Sequence, residues 1–64
     1  MPQQEDTEIA FIVEYEDGRR AQITIDRRIL LPGDHVARFV AEEWQRGGRI
    51  PEGKISHVRR APGR

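Results

Sequence analysis

Very few side chains in this sequence could do covalent or metal chemistry. The one serine, Ser56, is followed directly by His57. A serine nucleophile needs its base within hydrogen-bond reach. Neighbours on a strand point to opposite faces, so a strand through Ser56 and His57 separates the pair. Thr7 falls in the polar N-terminal stretch, and Thr24 reads as a surface strand residue. There is no cysteine, which removes thiol catalysis, disulfides and thiolate metal sites. Asp34, His35 and His57 are the nearest approach to a metal set. Metal sites normally take three or four ligands with supporting hydrogen bonds, so no metal or cofactor is expected. Gly47-Gly48 follows a helical pattern instead of opening one, so it is not a phosphate cradle. Glu14, Glu16 and Asp17 belong to a solvated turn. The expectation is a non-enzyme.

The chain has 64 residues, enough for one domain. A domain of that size buries only about 60% of the surface its unfolded chain exposes. With no disulfide to help, it relies on a small core, extended by self-association. No apolar run approaches the length of a membrane span. Residues Met1 to Asp6 are polar and acidic, unlike a signal peptide. A soluble cytoplasmic protein is the default expectation.

Net charge is zero but unevenly spread. Residues 1 to 17 carry Glu5, Asp6, Glu8, Glu14, Glu16 and Asp17 and no lysine or arginine. Residues 44 to 64 carry Arg46, Arg49, Lys54, Arg59, Arg60 and Arg64 against the single acid Glu52. One reading sets the two ends side by side in a sheet, where they neutralise each other. The other is a basic surface for a polyanion. Zero net charge is poor for long-range capture of nucleic acid, which favours the first.

These residues must be positioned by secondary structure, and the clearest signal is Tyr15-Glu16-Asp17-Gly18-Arg19. It lies between two alternating runs, about Glu8 to Tyr15 and Arg19 to Asp26, and reads as a β-hairpin. A two-residue Asp17-Gly18 loop would set Phe11 opposite Thr24 and Val13 opposite Gln22, leaving neither face apolar. A three-residue loop, Glu16-Asp17-Gly18, makes a type I turn with Gly18 as a left-handed bulge. Val13 then pairs with Ala21, Phe11 with Ile23 and Ile9 with Ile25. The opposite face carries Glu14 against Arg20, Ile12 against Gln22 and Ala10 against Thr24. The three-residue loop is therefore expected.

Asp34 reads as a helix N-cap, and the helix is expected from His35 to Arg46. Val36, Ala37, Phe39, Val40 and Trp44 fall on its apolar side, and Glu42 to Arg46 is a favourable i, i+4 pair. Trp44 is read as core, with an interface anchor as the alternative. Gly47-Gly48 ends the helix. Ile50 is expected to plug the core from the following loop. Lys54 to Arg60 reads as a third strand with a poor pattern: Ile55, His57 and Arg59 on one side, Ser56, Val58 and Arg60 on the other. Its direction and its core-facing side are not fixed by periodicity. Residues 1–7 are expected to be a disordered leader, 8–60 the domain and 61–64 a flexible tail.

The order of hairpin, helix and Gly48-Arg49-Ile50-Pro51 resembles ubiquitin-like β-grasp proteins across about residues 8 to 60. That family also opens on a bulged hairpin, crosses through a helix and continues through a Gly-Ile-Pro loop to a strand. It has more strand after the loop than this chain supplies. Its conjugated members end in Gly-Gly, whereas this sequence ends in Pro62-Gly63-Arg64. The resemblance implies a small partner-binding module.

The expected fold is α+β, ββαβ and β-grasp-like: a bulged β-hairpin and one helix packed on a three-stranded sheet. One helix covers one sheet face, leaving the other face and the sheet edges free for strand addition or homodimer formation. The expected function is a non-catalytic protein-interaction module, binding a protein partner or itself. Ile12, Arg20, Gln22 and Thr24 are the candidate contact residues. The alternative is nucleic-acid binding through Lys54, Arg59 and Arg60.

Overall fold

The computed structural model describes residues 7–62. Strand β1 spans Glu8–Tyr15 and β2 spans Arg20–Asp26; a 3₁₀ turn follows at Arg27–Leu30. Helix α1 spans Val36–Arg46 and β3 spans Ile55–Arg60. The sheet order is β2-β1-β3, and both neighbours run antiparallel to β1. The direction of β3 follows from the path. The hairpin reverses the chain, α1 carries it back along the sheet, and β3 then runs in the same direction as β2. Of the expected leader and tail, residues 1–6 and 63–64 lie outside the described residues.

The hairpin register is the one that pairs apolar with apolar. Ile9 faces Ile25, Phe11 faces Ile23 and Val13 faces Ala21. The turn closes through Tyr15 N–H to Arg19 O at 2.9 Å and Gly18 N–H to Tyr15 O at 3.0 Å. Gly18 takes φ +95°, where a side chain is strained, and this accommodates the extra residue in the loop. Asp17 holds the turn by accepting from Arg19 N–H at 3.1 Å and Arg19 Nε at 2.7 Å.

The poor periodicity of β3 has a specific cause. Tyr15 pairs with Ile55 but Glu14 pairs with His57, so Ser56 is an extra residue in a β-bulge. The bulge shifts the alternation by one position. Ile55 shares the inner face with Tyr15, and Val58 shares it with Val13. Strict alternation had placed Ile55 and Val58 on opposite sides; the bulge puts both toward the helix. His57 and Arg59 face outward beside Glu14 and Ile12.

The core lies between the inner sheet face and α1. Phe11, Val13, Tyr15, Ile23, Ile25 and Ile55 form its floor. Leu30 closes it from the 3₁₀ turn, and Ile50 enters from the loop after α1 as its sequence position predicts. Ala37 and Ala41 are fully buried, and their small side chains let the helix axis approach the sheet. Val36, Val40 and Trp44 flank them, half-buried.

Three expectations for the helix are corrected. Phe39 was placed on the apolar stripe, yet it is 63% exposed. At about 100° per residue, it lies opposite the line through Ala37 and Ala41. Asp34 is not an N-cap. The helix begins one residue later than expected, at Val36, and the N-cap residue His35 makes no side-chain capping bond. Asp34 gives both carboxylate oxygens to Arg60 instead, from Nε at 2.7 Å and from a terminal nitrogen at 3.0 Å. Finally, Glu42 pairs with Arg38 at 3.7 Å, while Arg46 turns to Glu43.

Candidate interaction surface

Because α1 packs on one face, the opposite face of the sheet has no covering element among the described residues. It is formed by Ala10, Ile12 and Glu14 of β1, flanked by Arg20, Gln22 and Thr24 of β2 and by His57 and Arg59 of β3. The hairpin register therefore gathers Ile12, Arg20, Gln22 and Thr24 on one surface. Ile12 sits at its centre, half-buried, opposite Gln22 on one side and Arg59 on the other. Arg20, Gln22 and Thr24 are exposed.

Glu14 organises the charge of this face. Arg59 reaches it at 3.1 Å and Arg20 at 3.6 Å. The hydrogen bond from Arg59 is the main cause of a Glu14 carboxyl held below the ordinary carboxylate range, reinforced by the charges of Arg59, Arg20 and His57. This pairing joins the acidic first third of the chain to its basic end, as the side-by-side reading requires.

The three residues of the nucleic-acid alternative are not gathered. Arg59 faces outward and is bound to Glu14. Arg60 is on the inner side of the strand, over the Phe11 ring at 5.9 Å and bound to Asp34. Lys54 precedes β3, where its carbonyl accepts from Glu16 N–H at 2.9 Å. The alternation of the strand sends Arg59 and Arg60 apart, so they do not make one phosphate-facing row.

The residues with chemical potential are also dispersed. Ser56 Oγ donates to the Glu14 carbonyl at 3.1 Å. No group of three or more His, Cys, Asp or Glu among the described residues could hold a metal ion. A shallow groove of about 300 Å³ between α1 and β3 is lined by Glu16, Arg38, Glu42 and Lys54, a mixture of signs with no single-sign focus.

The hairpin turn is locked onto the loop that follows the helix. Tyr15 Oη donates to the Pro51 carbonyl at 2.5 Å, and Gln45 donates to the same oxygen at 3.2 Å. Arg19 lies over the Tyr15 ring at 4.6 Å and donates to the Glu52 carbonyl at 2.9 Å. These bonds fix the end of the surface but face the helix side.

Sequence patterning missed the exposed apolar side chains of the helical layer, Ile29, Leu31 and Phe39. The helical arc of Phe39, counted from the two alanines, was the available signal. Trp44, read as core, is half-buried, and its outer side is covered by the Arg49 guanidinium at 3.8 Å from the ring centre.

No helix among the described residues is long and apolar enough to cross a membrane. Comparison with known proteins finds no matching family, no matching curated protein and no matching solved structure.

Proposed function

We propose that this protein is a small, non-catalytic protein-interaction module that engages a protein partner or a second copy of itself through its uncovered sheet face or a sheet edge. The observation that carries this reading is the one-sided sheet: α1 and the loops cover the inner face, while Ile12, Arg20, Gln22 and Thr24 stand together on the other. A three-stranded sheet also has two edge strands, each with backbone groups free to pair. The bulged hairpin, the helix and Gly48-Arg49-Ile50-Pro51 support a β-grasp-like classification, and with it a partner-binding role.

Nucleic-acid binding through Lys54, Arg59 and Arg60 has less support, since each arginine already serves a carboxylate. A salt titration of DNA or RNA binding separates the readings, because phosphate-dominated binding falls steeply with salt. The module reading expects no binding even at low salt. It also expects a defined complex, self or heterologous, by light scattering and chemical cross-linking. That complex should be lost on Ile12→Asp together with Thr24→Asp. A strict monomer that captures no protein overturns it.

A further inference from the structure

The two sheet edges are not equivalent. The β3 edge is guarded: it is bulged at Ser56, it carries Arg59 and Arg60, and the Arg38 guanidinium donates to the Ile55 carbonyl at 2.8 Å. Bulges, inward charges and capped backbone groups all discourage strand addition. The β2 edge has none of these. It is seven residues long, its register against β1 is unbroken, and it has no proline and no charge between Arg20 and Asp26.

Backbone alternation identifies the groups on the β2 edge. Tyr15 N–H bonds Arg19 O, and Arg27 N–H bonds Thr7 O at 2.7 Å. Antiparallel pairs alternate between bonded and non-bonded, so Ala21, Ile23 and Ile25 bond to β1. Arg20, Gln22, Thr24 and Asp26 therefore turn their N–H and C=O groups away from it.

The β2 strand is complementary to itself. Centred on Ile23, an antiparallel β2–β2 pair sets Arg20 opposite Asp26 of the second copy and Gln22 opposite Thr24, each pair occurring twice about the two-fold axis. Gln22 and Thr24 present free edge groups, so that pair can exchange both backbone bonds, whereas at the pair of Arg20 with Asp26 the Asp26 carbonyl already opens the 3₁₀ turn. Arg20 meets an opposite charge, Gln22 meets a hydroxyl, and Ala21 faces Ile25 on the inner side. Arg20 holds only a loose contact with Glu14, which Arg59 binds more closely. Asp26 keeps accepting capacity beyond its bonds to Arg28.

From this we infer that the partner at the β2 edge is a second copy of the chain, paired antiparallel about Ile23 to form one continuous sheet across two protomers. The inference rests on the interaction-module reading and names its partner and edge.

Sedimentation of the full chain from about 1 µM to about 1 mM tests it, alongside Thr24→Pro. The Thr24 N–H faces the free edge, so proline removes no bond within the protomer. Circular dichroism confirms that the variant folds. The expected result is a monomer–dimer equilibrium whose dissociation constant rises at least about tenfold in Thr24→Pro. Because the chain has no cysteine, Gln22→Cys mixed with Thr24→Cys reports the register independently. Opposed residues in this pairing fall within disulfide reach, so the mixed disulfide should form in preference to either homodisulfide. A monomer throughout the concentration range overturns the inference. So does a dimer unaffected by Thr24→Pro that forms no mixed disulfide. In either case, a heterologous complex lost on outer-face substitution leaves the module reading standing, and the absence of any complex removes both.

Discussion

Arg60 grips Asp34 through two hydrogen bonds, at 2.7 and 3.0 Å, and so ties the end of β3 to the segment that leads into α1. The contact joins positions 26 residues apart and links β3 to the start of α1. It also explains why Asp34 does not cap the helix. A carboxylate offered a guanidinium fork satisfies both oxygens at once, in the geometry that Arg–carboxylate pairs favour.

Acid should release this tie. The hydrogen bond from Arg60, with its charge, holds the Asp34 carboxyl below the ordinary value of 3.8. A carboxylate lowered on folding contributes stability above its unfolded value, and that contribution is lost as pH falls through the lowered folded value. Asp34→Asn is therefore expected to unfold at lower urea than the parent near neutral pH, with the gap closing in strong acid below the 3.8 reference. A constant gap across the range would place its effect elsewhere.

Asp26 belongs to the same pH window at its lower end. Hydrogen bonds from the Arg28 side chain and N–H lower it to about 2. Its carboxylate caps the 3₁₀ turn that carries Leu30 into the core. Titration followed by NMR should show the Asp26 carboxyl changing well below pH 3.8.

The turn glycine is a conformational requirement with no packing component. Nothing lies within 4 Å of a Cβ built on Gly18, yet its φ is +95°. Gly18→Ala should cost about 1–2 kcal/mol in chemical denaturation, with Asn recovering part of it. Gly53→Ala should cost more, since its φ of +141° is joined by a Cβ 3.1 Å from the buried Tyr15 ring, while the nearer Arg19 nitrogen ends a flexible side chain that can move aside.

Phe39 and Ala41 reverse the usual intuition about helix substitutions. Phe39→Gln removes a large aromatic ring but one that is 63% exposed, so stability should change by no more than about 0.5 kcal/mol. Ala41→Leu adds volume at a fully buried site against the sheet and should destabilise by about 1–3 kcal/mol. Thermal unfolding of the two variants checks the assignment of the helical face.

Tyr15→Phe should cost about 1 kcal/mol by deleting one hydrogen bond. The Pro51 carbonyl stays satisfied by Gln45, so the loss should not grow to that of a buried orphan.

The hairpin was fully legible because its determinants are local. Asp17-Gly18 and a period-two pattern admit one register that buries Phe11, Val13, Ile23 and Ile25 together, and the same count places Ile12, Gln22 and Thr24 on the outer face. The helix was legible in extent but not in its exact face: Phe39 lies opposite the line through Ala37 and Ala41, and two alanines carry too little hydrophobicity to mark the buried face. The third strand lay beyond periodicity. Its bulge at Ser56 exists because Ile55 must meet the Tyr15 end of the core while Val58 must meet Val13, a demand set by β1 and invisible in the strand itself. The fates of Asp34, Arg59 and Arg60 were likewise decided in three dimensions, because a charged side chain takes the nearest opposite charge, and only the folded chain determines which that is.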